Sequence, residues 1–216
     1  LTAFARLDAV TGKSKEGTAA CKPFDIKRDG CVVGEGAAIL VLESLAHATA
    51  RGAPILAELA GYGTTEDAYK ISAPPDDGAG AVRAMQQALA HAGLAPHEID
   101  HVNAHGTGTM LNDRIETHAI KQVLGAHASQ IPVVSTKSMT GHLIAAAGAL
   151  EAVISVQSLV EQRVPPTQNL NHPDPVCDLH YLPAAQYLQG LSTPLRTVLS
   201  NSFAIGGVNA SLIFKR

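Results

Sequence analysis

Ser135-Thr136-Lys137-Ser138-Met139-Thr140-Gly141-His142 runs directly into Leu143-Ile144-Ala145-Ala146-Ala147-Gly148-Ala149-Leu150-Glu151-Ala152-Val153-Ile154. The first stretch sets a lysine and a histidine five residues apart where a strand gives way to a helix, expected to run from Leu143 to about Glu161. The helix is apolar or small on every side, which predicts that it is buried rather than half-exposed. Glu151 is the only charge between His142 and Val160. A carboxylate on a buried helix is costly unless a cation or donors pair with it. Lys137 is the nearest candidate, and a bound metal cation is the other. In both cases a buried charge network lies beside a histidine, the setting in which pKa values shift and chemistry becomes plausible.

On either side, strands and helices alternate. Upstream, Ile99–Ala104 reads as a strand, 106–109 as a Gly-Thr-rich turn, Asn112–Leu124 as a helix stopped by Gly125, and Ile131–Ser135 as a strand. Earlier still, Val32-Val33 and Ala37–Leu42 read as one continuous buried strand and Ser44–Arg51 as a helix closing at Gly52. Ile55–Gly63 is the next strand, and a helix follows with Asp76 or Asp77 as its N-cap, Val82, Met85 and Leu89 on one face, and Gly93 as its stop. Residues 1–30 read as a short helix and an irregular loop. Downstream of Pro165-Pro166, Leu179–Leu182, Arg196–Ser202 and Val208–Phe214 read as strands, the last two joined by a hairpin at Gly206-Gly207. The fold class is a layered α/β architecture.

The chain has 216 residues, 46% hydrophobic and 16% charged, enough for a substantial core. A net charge of -3 gives no electrostatic reason to expect nucleic acid or a membrane surface as partner. The 143–160 stretch falls short of the ~20 apolar residues a span needs, which makes it a core helix. Cys21, Cys31 and Cys177 are odd in number and lack paired metal-ligand spacing, and no signal peptide is evident; a reducing, cytoplasmic setting is the expectation. A start at Leu1, with no methionine, suggests the rear part of a longer polypeptide.

His105 and His142 each follow a predicted strand, on the side where parallel sheets gather ligands. Taken alone, His105 is about as readily a structural histidine in a glycine-rich turn, and a histidine such as His142 is more often structural than catalytic. Together, two neutral imidazoles there could donate N–H bonds to one developing oxyanion, and loss of one such donor typically costs ~3–4 kcal/mol. Lys137 nearby would disfavour a protonated imidazole. Metal binding by His105, His142 and Glu151 is the rival reading, against which the lysine argues. In His105-Gly106-Thr107-Gly108-Thr109 the glycines allow close backbone approach and the threonines present hydroxyls, without the pattern of a phosphate loop.

Taken in order, Val102-Asn103-Ala104-His105-Gly106-Thr107-Gly108-Thr109, Ser135–His142, and Asn201-Ser202-Phe203 with Gly206-Gly207 and Asn209 resemble the β-ketoacyl-acyl carrier protein synthases, elongating condensing enzymes of fatty acid and polyketide synthesis. Arg28-Asp29-Gly30, Gly34-Glu35-Gly36 and Leu212-Ile213-Phe214-Lys215 are similar to the bacterial type II branch. The likeness spans essentially the whole chain and corresponds to the rear half of that family. It implies a thiolase-like α-β-α-β-α fold, with residues 1–51 ending the first half and 52–216 forming the second, and an assembly that is usually dimeric. It further implies an acyltransferase that uses an acyl carrier protein as partner and needs no cofactor beyond substrates carried on phosphopantetheine.

By the same resemblance, His105 and His142 bind the malonyl thioester carbonyl, with Lys137 and Glu151 as the supporting charge pair. Thr107 and Thr109 hold the phosphopantetheine arm, and Phe203 and Ile205 border the acyl substrate. Ala204, Gly206 and Gly207 form the glycine-rich loop, and Asn103, Glu151, Ser200 and Asn201 match positions where relatives hold a sodium or potassium ion. Two departures stand out. The family's nucleophilic cysteine has no counterpart here: Pro23 makes Cys21 a poor residue for a helix start, Cys31 lies at a strand entrance, and Cys177 lies in a Pro-rich loop. The nucleophile is therefore expected from outside this chain. Ala204-Ile205 replaces a Gly-Phe gate, which leads to the hypothesis of altered acyl-chain selection or a specialised polyketide role. The leading expectation is decarboxylative Claisen condensation. The alternatives are a non-catalytic chain-length-factor-type partner subunit, against which the retained histidines and lysine argue, and thiolase-type cleavage, which fits the Lys137/His142 spacing less well.

Overall fold

The computed structural model describes residue 6 and residues 9–184 and 193–216, so the short helix expected at the start lies largely outside the described residues. The elements in chain order are α1 (Leu45–Ala50), β1 (Glu58–Glu66), α2 (Ala79–Ala92), β2 (His101–Asn103), α3 (Met110–Leu124), β3 (Val133–Val134), the single turn α4 (Lys137–Thr140), α5 (Ala147–Glu161), β4 (Thr197–Phe203) and β5 (Val208–Lys215). The five strands form one sheet in the order β1-β5-β4-β2-β3. β2 is parallel to both β3 and β4, while β4, β5 and β1 run antiparallel to one another in turn.

Strand alternation divides the interior into two cores. Val102, Leu199 and Ile213 face one side and pack with Met85, Ala88 and Leu89 of α2 and Ile120, Val123 and Leu124 of α3. Val134, Val198 and Phe214, their neighbours in sequence or register, face the other side and pack with Ala152 and Leu159 of α5. Helix α2 lies unusually close to its strand because Gly61 and Gly63 of β1 meet it: a Cβ at Gly63 would sit 2.1 Å from the Ala84 carbonyl oxygen. Its N-terminal residue is preceded by Gly78 at φ 60°, and Asp77 Oδ1 accepts from the Ala79 N–H (3.0 Å), so the expected aspartate capping is made from one position further out. Thr109 Oγ1 caps α3 by accepting from Asn112 N–H, and Gly125 ends it.

Five expectations from the sequence are corrected. The run Ala37–Leu42 is not a buried strand: it has no ladder partner among the described residues, and although Leu40 packs beside the α5 core, Ile39 and Val41 are 89% and 83% exposed. Apolar content alone makes no strand when no neighbouring edge is there to take its N–H and C=O groups. The long helix does not start at Leu143. Gly141 (φ 70°, ψ -179°) breaks the chain after α4, because the backbone at His142 is captured by the 32–34 segment: His142 N–H donates to the Val32 carbonyl (2.7 Å) and Gly34 N–H to the His142 carbonyl (3.0 Å). Nor is α5 buried all round. Glu151, Ala152, Ser155, Ser158 and Leu159 face inward, and Leu150, Val153 and Ile154 are half-exposed. Leu179–Leu182 forms no strand: the Tyr181 N–H turns back to the Leu179 carbonyl and Leu182 has φ 39°, while the carbonyls of His180 and Leu182 accept from Val133 and Thr167 N–H. The strand expected at Ile55 begins three residues later, at Glu58.

His101 carries a consequence for acid stability. It is 1% exposed on β2, its Nδ1 lies 2.9 Å from the Pro132 carbonyl, and burial pushes its pKa down from 6.5 to about 4. The unfolded chain takes up this proton at higher pH than the folded one, so the stability contributed is complete above pH 6.5 and lost as pH falls towards 4. By pH 5 the loss amounts to roughly 2 kcal/mol. Urea unfolding at pH 7 and pH 5 should show a smaller drop for His101→Phe than for the parent; equal drops would remove His101 from the account.

Candidate active site

Helix α3 and the two short strands β2 and β3 build the floor of the site. Beyond β2 the chain turns through His105–Thr109, and Glu116 of α3 fixes that turn from below: its carboxylate accepts the N–H groups of His105 and Gly106, both at 2.8 Å. Glu116 is fully buried, and burial raises its pKa to about 7 against the lowering effect of those two N–H donors. Beyond β3 the chain passes through Ser135 and Thr136 to Lys137, which is fully buried and forms an ion pair with Glu151 Oε1 on the inner face of α5. Burial raises the Glu151 pKa, and Lys137 opposes that rise.

Lys137 Nζ stands 3.3 Å from His105 Nδ1. An ammonium has hydrogens to give and no lone pair, so Nδ1 accepts and the His105 proton sits on Nε2. His142 reaches the same tautomer by another route, because the Ile144 N–H donates to its Nδ1 at 3.1 Å. The two rings meet edge to face with centroids 5.3 Å apart. Burial first and Lys137 second hold both imidazoles neutral: the His142 pKa falls to about 4, and that of His105 lies well below its ordinary value, with His142 as a further contributor. Two neutral rings, each with an Nε2–H free of the partner that fixes its Nδ1, suit donation to a single oxygen that gains negative charge.

The remaining sequence candidates fall around this pair. Phe203, at the end of β4, lies 5.7 Å from the His105 ring. Ile205 is 47% exposed at the tip of the hairpin, whose left-handed positions are Gly206 (φ 102°) and Gly207 (φ 87°); Ala204 has a negative φ, so replacing glycine there imposes no strain. Gly206 N–H donates to the Ile71 carbonyl, which ties the hairpin tip to the 67–75 loop. Thr107 and Thr109 hydroxyls lie 2.9 Å from each other, and Thr109 also serves as the cap of α3. Asn103 and Ser200 are register partners on β2 and β4 and share the α5 face, where Asn103 Nδ2 donates to the Glu151 carbonyl (3.2 Å). Asn201 turns the other way, to Glu116 Oε1 (3.3 Å) and Ser211 Oγ (2.8 Å), so its side chain is separated from the other three.

Sequence reasoning missed the carboxylates beneath the turn. Asp113 accepts the N–H groups of Gly108 and Phe24 and pairs with Arg28, whose side chain is fully buried and also bonds Asp174 and the Thr109 and Met110 carbonyls. The available signal was an Asp113/Glu116 pair three residues apart on a predicted helix directly after the histidine turn. All three cysteines are buried with raised pKa values, about 11 for Cys21 and Cys177, with burial as the main cause. Such thiols stay protonated and unreactive at neutral pH.

A sequence profile described as "Beta-ketoacyl synthase, C-terminal domain" matches residues 56–171, more than half the chain, and its N-terminal counterpart matches residues 1–48. The chain belongs to the beta-ketoacyl synthase family. Among curated proteins this synthase chain is 50% identical over 213 residues to 3-oxoacyl-[acyl-carrier-protein] synthase 2 of Synechocystis, covering 99% of this chain and 50% of that protein. It is 48% identical over 197 residues to the mitochondrial 3-oxoacyl-[acyl-carrier-protein] synthase of Arabidopsis thaliana, covering 90% and 42%. The chain thus spans about half the length of the curated synthases it matches. Among solved structures, the ketosynthase of the AntDE:AntF complex with a type II polyketide acyl-carrier protein superposes with TM-score 0.93 at 42% identity, covering 99% of this chain and 52% of that one. A beta-ketoacyl synthase from Burkholderia phymatum gives 0.91 at 41%, covering 100% and 51%. The fold is that of the thiolase-like ketosynthases.

Proposed function

We propose that the chain supplies the decarboxylating half of a 3-oxoacyl-[acyl-carrier-protein] synthase site, with the acylated cysteine provided by an N-terminal ketosynthase half attached to it or separate from it. The observation that carries this reading is the pair of neutral imidazoles, each with its proton on Nε2 and with ring centroids 5.3 Å apart, backed by the Lys137–Glu151 ion pair. A malonyl thioester held on phosphopantetheine directs its carbonyl oxygen between the two rings. The carbon–carboxylate bond then breaks, carbon dioxide leaves, and its electron pair becomes an enolate whose oxygen the two N–H groups stabilise. The enolate carbon attacks the acyl thioester carbonyl, the cysteine sulfur departs, and the 3-oxoacyl chain is left on the acyl carrier protein. A chain-length-factor role needs none of this geometry, and a thiolase-type cleavage does not explain the lysine behind His105.

Acyl carrier protein is the proposed partner, in a soluble, cytoplasmic homodimer or heterodimer. Residues 144–161 are long and apolar enough to cross a membrane, yet their inner face carries Glu151, Ser155 and Ser158 against the sheet, as suits a core helix. Buried Asn103 Oδ1 and Glu151 Oε2 have no hydrogen-bond partner among the described residues, a pair of hard oxygen donors that suits a sodium or potassium ion, with Ser200 the register partner of Asn103. The ion's contribution would be to give these two buried oxygens a partner, since Glu151 already has Lys137 as its counter-charge. Potassium should then raise the melting temperature of the parent chain and leave Glu151→Leu unchanged, and equal responses would discard the ion.

Combining the chain with a polypeptide bearing the N-terminal ketosynthase half should release labelled carbon dioxide from malonyl-acyl carrier protein and yield a 3-oxoacyl product, whereas the chain alone should give no condensation. Absence of both from the combined sample would overturn the proposal. Ile205→Phe should shift the relative rates among acyl primers towards shorter chains by several-fold, because a larger ring at the hairpin tip narrows the approach; an unchanged chain-length profile would remove Ile205 from specificity.

A further inference from the structure

Gly106 is gripped from two sides, and only one grip belongs to the helix beneath it. Glu116 takes its N–H; Ser135, at the end of β3, donates its hydroxyl hydrogen to the Gly106 carbonyl at 2.6 Å. Ser135 is fully buried and has little freedom of its own: its N–H donates to Thr167 Oγ1 (3.1 Å) and its carbonyl accepts from Ser138 Oγ (2.7 Å). The contact is close-packed as well as polar. Gly106 has φ 36°, and a Cβ there would stand 2.5 Å from Ser135 Cβ. Two residues further on, Lys137 Nζ reaches His105 Nδ1. The three-residue span Ser135–Lys137 therefore touches the histidine turn at both of its ends, once at the Gly106 carbonyl and once at the imidazole.

We infer that Ser135 is a positioning residue of this site, whose hydroxyl holds the Gly106 peptide so that the His105 ring stays in register with Lys137 and presents Nε2–H towards His142. The inference rests on the decarboxylation reading and adds to it the group that fixes one of the two donors. Without the hydroxyl, the Gly106 carbonyl is left buried and unpaired, and the turn relaxes to find another donor. The lysine contact then loosens, and with it the reason for the His105 proton to remain on Nε2.

Histidine-labelled protein examined by long-range nitrogen–proton NMR gives the spectroscopic test. The parent chain should show His105 as a single Nε2–H tautomer, and Ser135→Ala should show a mixture. In the assembled synthase, the same variant should lower kcat for malonyl-acyl carrier protein decarboxylation about tenfold, the size expected for one lost hydrogen bond, with KM changed less than about twofold. Ser158→Ala removes a buried hydroxyl on α5 that bonds the Ile154 carbonyl of its own helix and touches neither Ser135 nor the histidine turn; it should leave tautomer and kcat unmoved. Ser135→Cys keeps a weak donor of similar size, should give an intermediate loss, and stands in if the alanine variant fails to fold. A single Nε2–H tautomer with parental kcat in the Ser135 variants, or an equal effect from Ser158→Ala, would overturn the inference. His142→Ala in the same assays separates the two levels: if it is inactive while Ser135→Ala is unaffected, only the positioning role falls, and if His142→Ala decarboxylates normally, the functional reading falls with it.

Discussion

Replacing His142 by alanine in the assembled synthase is expected to lower the rate of malonyl decarboxylation about 10²–10³-fold, the usual effect of deleting one preorganised donor to an oxyanion. The enolate oxygen gains its charge as carbon dioxide leaves, so a donor already aimed at it favours the transition state over the bound substrate, and the loss falls on kcat more than on KM. A neutral imidazole suits this work because its Nε2–H can be shared with the oxyanion without being surrendered, and with a pKa of about 4 His142 is neutral throughout the working range. His105→Ala should produce a loss of the same order. If both rings serve one oxygen, as proposed, the double variant should be little worse than the poorer single one. Transfer of the acyl group onto the cysteine should persist in all three. Release of labelled carbon dioxide at the parental rate by His142→Ala would eliminate the two-donor account.

How much of this could be read from the sequence depends on the range of the interactions involved. Helices α2 and α3 and the hairpin at Gly206-Gly207 were legible because their signals are local: an apolar face at helical spacing, a glycine stop, a double-glycine turn. Lys137, His142 and Glu151 were legible because Lys137 and His142 share one short junction after a strand and Glu151 is the only charge in the apolar stretch that follows it, and His105 because it occupies the equivalent place after another strand. Ser135 was not, because it acts on the backbone of a turn through a contact that no residue pattern encodes, its hydroxyl and the Gly106 carbonyl lying 29 residues apart in sequence; Glu116 left only the trace of an acidic pair after the histidine turn, which does not say that its carboxylate takes the N–H groups of that turn. The same limit explains the errors. The break at Gly141 is set by hydrogen bonds to Val32 and Gly34, more than a hundred residues upstream, and propensity alone would have carried the helix through it. Ala37–Leu42 has the composition of an interior strand, but composition says nothing about which strand edge would receive it.

Removing the carboxylate of Glu151 should have the largest effect on stability. Lys137 and Glu151 are both buried, and the ammonium has no other counter-charge among its described contacts, only the neutral His105 Nδ1. Glu151→Leu therefore strands a buried cation, a change that costs about 3–5 kcal/mol in such pairs. Urea unfolding of the single variant should show that loss. The double variant Lys137→Met, Glu151→Leu distinguishes stability from chemistry. Exchanging a buried ion pair for apolar side chains of similar volume is often neutral or stabilising, so the double variant should recover most of what the single one lost. Its decarboxylation should nonetheless stay low, because nothing then holds the His105 proton on Nε2 or opposes protonation of the two rings. Recovery of stability together with recovery of decarboxylation would mean that the ion pair serves only to fill the core and that the imidazoles find their tautomers without it.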